Sequence, residues 1–185
     1  MAAGRPGNLI IMRRDKIMIM EYDPDWPDLF EQQRQVLEQA FDGCFLRPVE
    51  HIGSTSVPGL PAKPIIDMLA VIEDYDKFAD EIGRFAAIGW VLAPEPGEAE
   101  ARKYSVCFPS IEHRSHHLHI VEPDWGWQDL LLYRDYLRAH PADAADYAEL
   151  KRRVAAADDQ DRPRYRAAKA PFIQHTLQAA RRWRQ

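Results

Sequence analysis

The spacing of apolar positions changes several times along the chain, and each change predicts an element. Residues 16–22, KIMIMEY, are dense in long and β-branched apolar side chains and predict a strand ending at Asp23. Residues 23–43, DPDWPDLFEQQRQVLEQAFDG, place Leu29, Phe30, Val36, Leu37, Ala40 and Phe41 on one helical side. Pro24 and Pro27 suit the opening turns of that helix, and Gly43 suits its end. Residues 44–53, CFLRPVEHIG, predict a strand running into a Gly-Ser turn. Residues 64–72, PIIDMLAVI, are apolar throughout except for one acid, the pattern of a central strand covered on both faces. Residues 75–89, YDKFADEIGRFAAIG, predict an amphipathic helix stopped by Gly89. WVLAP, YSVCFPS and HHLHIVEP predict three shorter strands. The last third predicts helices over residues 126–140, 141–157 and 162–183, with Pro141 and Pro163 marking two of the starts. The fold expected from this order is α+β, a mixed sheet with helices interleaved early and a helical cap late.

The 185 residues suit one domain, expected over residues 15–185 behind a loose tail at residues 1–14. Met12, Met18 and Met20 leave the start codon open. The balance of 46% hydrophobic and 29% charged residues is that of a soluble globular protein. A net charge of -5 argues against nucleic acid or an anionic membrane as partner, and no segment is apolar enough to span a bilayer. Arg13, Arg14, Asp15 and Lys16 interrupt the apolar run that a secretory leader needs. Two distant cysteines, Cys44 and Cys107, fit a reduced cytoplasmic protein without a disulfide framework. The basic C-terminal stretch is either a solvated helical face or a phosphate-binding surface.

The lone acid of the central strand, Asp67, carries the first chemical signal. On that strand Ile65, Asp67 and Leu69 share one face, and Ile66, Met68 and Ala70 share the other. A carboxylate there is costly unless it is paired, hydrogen-bonded or bound to a metal. Upstream, Gly53 permits unusual backbone angles, Ser54 and Thr55 add hydroxyls, and such a turn can hold phosphate oxygens. Lys63 stands just ahead of the strand and could reach the same phosphate. Two readings follow: a Mg2+ ion on Asp67 bridging to phosphates, or a salt bridge from Asp67 to Lys63 or to a C-terminal arginine.

The string VEHIGSTSVPGLPAKPIIDMLAV resembles the hallmark of the GrpB family, which also occurs as a domain appended to some dephospho-CoA kinases. YDPDWPDLFEQQRQVL, HHLHIVEPD, LLLYRDYLRAHPADAADYAELKRRVA and YRAAKAPFI resemble GrpB segments in the same order, so the likeness runs from residue 21 to 183. The resemblance implies a nucleotidyltransferase-like fold. In that superfamily a hydrophobic-Gly-Ser turn holds nucleotide phosphates, and a later strand carries Asp-hydrophobic-Asp/Glu for divalent metal. Here Leu69 stands where the second acid belongs, and Glu73 and Asp74 lie too far along to replace it. A two-metal transfer would lose half of its usual ligands.

HRSHHLHIVE places His117 and His119 on one strand face and His116, Leu118 and Ile120 on the other. His119 could stand in for a third acid, sharing a metal with Asp67 or acting as general base; His51 could join the pair. The bland alternative is a half-exposed strand with hydrogen-bonded imidazoles. Arg134 and Arg138 share a helical face beside Asp135, and Tyr165 and Lys169 share another. Arg134 and Lys169 either line the site opposite Gly53 and Ser54 or make helix-to-helix ion pairs. Trp125, Trp127 and Tyr136 read as core or site wall. The expected function is a nucleotidyltransferase-like enzyme binding a nucleotide or other phosphorylated small molecule with Mg2+ on Asp67 and His119. One alternative is a non-catalytic phosphate- or nucleotide-binding module that has lost the second acid. Another is a hydrolase using a His-bound transition metal.

Overall fold

A computed structural model describes residues 16–185, so the tail expected at residues 1–14 lies outside the described residues. In chain order the elements are α1 (Trp26–Ala40), β1 (Glu50–Ile52), β2 (Ile66–Val71), α2 (Tyr75–Phe78), β3 (Val91–Leu92), β4 (Lys103–Phe108), β5 (His116–Val121), α3 (Gln128–Ala139), α4 (Pro141–Ala157) and α5 (Arg162–Trp183). Single 3-10 segments occupy Ser54–Ser56 and Ile82–Ile88. The strands form one mixed sheet in the order β1-β2-β5-β4-β3. The central pair, β2 and β5, is parallel, and the other neighbours are antiparallel. This is the α+β architecture with a helical C-terminal cap that the apolar pattern predicts.

Strand alternation separates two faces of the sheet. Ile66, Met68, Ala70, Val106, Leu118 and Ile120 form one, packed under Trp26, Leu37 and Phe41 of the α1 region and Phe85 and Trp90 beyond α2. On the other, Ile52, Leu69, Val71 and Val121 are covered by Trp127, Leu130 and Leu131 where α3 begins. That cover reaches only part of this face. The remaining part carries Asp67 beside His117 in register, with His119 two residues on. The cap closes on itself through Leu132, Tyr136 and Leu137 of α3, Ala144, Tyr147 and Ala148 of α4, and Ala180 of α5, with Val57 and Leu60 from the loop after the Gly-Ser turn.

Three predicted elements are shorter than the pattern suggests. The strand expected at residues 16–22 makes one antiparallel bridge, Met20 to Ala62, because Ile17 packs with Ala155 and Tyr165 on the cap and not on the sheet. The strand expected at residues 44–53 keeps only Glu50–Ile52; Pro48 just ahead has no N–H to offer a ladder. The helix expected at residues 75–89 divides. Asp74 caps α2 by accepting from the amides of Asp76 and Lys77, but α2 ends after four residues and the chain resumes as a 3-10 segment. Gly83 lies inside that run and weakens a regular helix by about 1 kcal/mol. Gly89 stops it in the left-handed conformation, as expected. Among the described residues no helix is long and apolar enough to cross a membrane.

Candidate functional site

Asp67 sits where β1, β2 and β5 bring three functional segments together. Its carboxylate faces both histidines of β5: His117 Nδ1 lies 3.6 Å and His119 Nε2 3.8 Å from Oδ1. One ligand atom from each of the three side chains falls within 4.8 Å of the others. Among the described residues no lysine or arginine nitrogen lies within salt-bridge distance of Asp67, so the ion pair to Lys63 is not formed. Burial would raise the Asp67 carboxyl, yet His117 and His119 outweigh that and hold it well below the usual carboxylate range. Burial, and then the neighbouring His119, push the His117 imidazole down to about 3, so it is neutral near pH 7.

The Gly-Ser turn serves this carboxylate by leaving room for it. Gly53 adopts φ +71°, and a Cβ there would lie 2.7 Å from Asp67 Oδ2 and 3.1 Å from its Cβ. The turn is held from both sides by α3. Arg134 Nη1 donates to the His51 carbonyl and to Glu50 Oε2, each at 2.9 Å, and its Nε donates to Asp135. Arg138 donates twice to the Ser56 carbonyl, at 2.9 and 2.7 Å. Charge-assisted bonds of this kind are the stronger ones, and here they fix the backbone on either side of Gly53 and Ser54.

Above the turn stands a cation that the sequence reading passed over. Lys151 of α4 is 2% exposed; its ammonium donates to Ser54 Oγ at 3.0 Å and to the Pro61 carbonyl. It also lies 4.6 Å from the Tyr147 ring centroid. Burial first, then Lys169, Arg152 and Lys63, depress Lys151 to about 7. Lys169 and Lys63 flank one ring, their ammonium groups 4.4 and 5.4 Å from the Tyr165 centroid. Burial lowers Lys169 while Asp67 acts on it in the opposite sense. Lys151 had a visible signal: it falls in the buried stripe Ala144, Tyr147, Ala148, Lys151, Ala155, where helical spacing predicts an apolar residue.

The structure therefore brings Gly53, Ser54, Lys63, Asp67, His119 and Lys169 to one place and adds His117 and Lys151. Thr55, Arg134 and His51 lie apart from that group. Thr55 is 1% exposed, and its hydroxyl is bonded to His51 Nε2 and the Ile65 carbonyl, turned from the surface a phosphate would use. Arg134 is committed to holding β1, as described above. His51 projects to the opposite sheet face, stacked on Phe30 at 4.7 Å, which removes it from any ligand set with His117. Tyr136 is buried and Trp127 packs over the sheet, but Trp125 stands at the surface.

Residues 16–179 match the profile of the GrpB family, described as GrpB protein. The chain belongs to the GrpB family. Its relatives include UPF0157 protein YqkA of Bacillus subtilis, 34% identical over 170 residues, which are 91% of this chain and 48% of YqkA. The chain thus spans about half of YqkA's length. A dephospho-CoA kinase of Mycolicibacterium paratuberculosis is 28% identical over 92% of this chain and 47% of the kinase. In three dimensions the crystal structure of conserved protein GrpB from Enterococcus faecalis is similar, with a TM-score of 0.77 and 36% identity over 91% of this chain and 100% of that one.

Two predictions follow from the geometry of the turn and its lysine. Gly53→Ala combines a positive φ with a carboxylate in the way, so it should lower unfolding free energy by about 1–3 kcal/mol in urea titrations; a loss under about 0.5 kcal/mol would contradict the packing described. Lys151 has a folded pKa below its unfolded value. Between about pH 7 and pH 10 the unfolded chain binds the proton that the folded chain has released, so this lysine makes stability rise with pH. The wild type should gain on Lys151→Met by about 1 kcal/mol per pH unit over that window, read as the difference between their unfolding curves. Parallel pH profiles would show that Lys151 is not desolvated.

Proposed function

We propose that this GrpB-family protein binds a phosphorylated small molecule, with nucleotides as the leading class, at the Gly53-Ser54 turn. Ser54, Lys151, Lys63 and Lys169 face the phosphate, and a divalent cation on Asp67 and His119 bridges to it. The observation that carries this reading is the buried ammonium of Lys151 on Ser54 Oγ, with two further lysines acting on it. Three cations held this close repel one another and lose hydration, a cost that an incoming polyanion offsets. The nearby relative named dephospho-CoA kinase makes dephospho-CoA a sensible compound to include among the ligands tested.

Binding is favoured over two-metal nucleotidyl transfer by the surroundings of Leu69. That side chain is 1% exposed and packs with Ile52, Val71 and Val121 under Trp127, Leu130 and Leu131. A second metal-binding acid at this strand position would meet a dry apolar wall. Among the described residues the group holds one carboxylate, without the paired acids that hold two ions at an in-line displacement.

Calorimetric titration with ATP, dephospho-CoA and pyrophosphate, each with a divalent cation present, tests the reading. At least one compound should bind, and Lys151→Met should weaken it about 10–100-fold, the effect of losing one charged hydrogen bond to a phosphate. Melting of the unliganded variant verifies that it folds. If no phosphorylated compound binds, or if the folded variant binds within about twofold of wild type, the reading is wrong.

A further inference from the structure

We infer that Asp67, His117 and His119 form a three-ligand site for a transition-metal dication, of the class of Zn2+, Mn2+, Fe2+ or Co2+, and not for the Mg2+ expected from the sequence. The inference takes up the cation of the proposed function and rests on that reading for the ion alone, not for the phosphate.

The donor set is the first argument. Mg2+ demands near-octahedral oxygen coordination and is bound through carboxylates, waters and phosphates. Two imidazoles and one carboxylate suit borderline transition metals, which bind imidazole nitrogen well. Distance is the second. Nitrogen-to-oxygen separations of 3.6 and 3.8 Å are too long for hydrogen bonds. They are close to the roughly 3.3–3.6 Å between neighbouring ligands of a tetrahedral ion with bonds of about 2.0–2.2 Å. These two edges need a closure of only a few tenths of an ångström, and the three ligand atoms together lie within 4.8 Å of one another.

The third argument is what the side chains lack. His117 is buried, and among the described residues its Nδ1 has only the distant Asp67 oxygen and its Nε2 has no hydrogen-bond partner. A buried ring with both polar atoms underused is costly in a packed sheet. A buried acid on this side of the sheet shows the contrast. Glu98 accepts from Ser105 Oγ at 2.5 Å and pairs with Lys103 at 2.7 Å, so it is satisfied by protein alone. Among the described residues, Asp67 has only the two imidazoles within ion-pair distance.

Access and rigidity complete the case. The side chains of Asp67 and His119 are 36% and 19% exposed, so coordination positions on the solvent side are open to water or to a ligand oxygen. All three residues stand on the paired strands β2 and β5, Asp67 in register with His117 and His119 two residues on, which holds them without help from loops. Gly53 closes the far side of the carboxylate, so Oδ1 is the oxygen turned to the histidines.

The test uses the full chain stripped with EDTA and titrated with Co2+, Zn2+, Mn2+ or Mg2+ alone in phosphate-free buffer, by calorimetry and, for Co2+, by visible absorption. Co2+ and Zn2+ should bind one per chain, at least about 100-fold more tightly than Mg2+, and Co2+ should show ligand-field bands of nitrogen and oxygen coordination. His117→Gln and Asp67→Asn should each lower Co2+ affinity at least about tenfold, while Cys44→Ser should leave it unchanged. Circular dichroism of each variant without metal establishes folding; should a variant not fold, the Co2+ against Mg2+ comparison on the wild type decides. Mg2+ binding within about tenfold of Co2+, Co2+ affinity unchanged in folded His117→Gln, or Co2+ binding lost in Cys44→Ser would overturn the inference. If Co2+ binds as stated but no phosphorylated compound does, the proposed function fails and this site stands. If phosphorylated compounds bind while Co2+ does not, the site fails and the phosphate reading stands.

Discussion

The parallel pairing of β2 and β5 is the constraint on which the rest depends. It sets Asp67 beside His117 and Leu69 beside His119, on the sheet face that α3 covers only in part. A slip of one residue would put Asp67 and the two histidines on opposite faces of the sheet. The long excursion through residues 72–115 between the two strands adds β3 and β4 on the far edge. It leaves the parallel pair inside the sheet, with a strand on either side, where the apolar face packed by α1 fixes the register.

Around this pair the chain arranges two kinds of support. Arg134 and Arg138 draw backbone carbonyls of β1 and the turn toward α3, which matters because β1 is only three residues long and has few ladder bonds of its own. Gly53, with no Cβ, leaves room for the Asp67 carboxylate, and the next residue, Ser54, accepts from Lys151. Among the described residues no carboxylate pairs with Lys151 and no lysine or arginine nitrogen comes within salt-bridge distance of Asp67, whose charge still acts on Lys169. Neutralisation within the protein would remove the field that a metal-bound polyanion can use.

Much of this was legible in sequence, for identifiable reasons. Asp67 stood out because an acid interrupts a continuous apolar run, and strand parity alone placed His117 and His119 on a common face. Parity did not say which neighbour that face would meet, because the pairing of β2 with β5 depends on the whole intervening excursion. Arg134 was read by residue type as an anion ligand; its commitment to Glu50 and the His51 carbonyl arises from the shortness of β1, which apolar spacing overestimates. Lys151 was concealed by its neighbours. KRR reads as a solvated charged face, although its first member falls in the buried stripe of α4. The strand expected at residues 16–22 had the right composition for a sheet, but its apolar residue Ile17 found a place against the cap.

The central claim is that one metal and one phosphate meet across the Gly53-Ser54 turn. A crystal structure grown with Mn2+ and a non-hydrolysable nucleotide, recorded for the anomalous signal of manganese, tests it most directly. The account predicts a single strong anomalous peak bonded to Asp67, His117 and His119, with a phosphate oxygen in its coordination shell and the same phosphate in contact with Ser54 and Lys151. A manganese peak elsewhere on the molecule, or a nucleotide bound with its phosphates away from the turn, would contradict it.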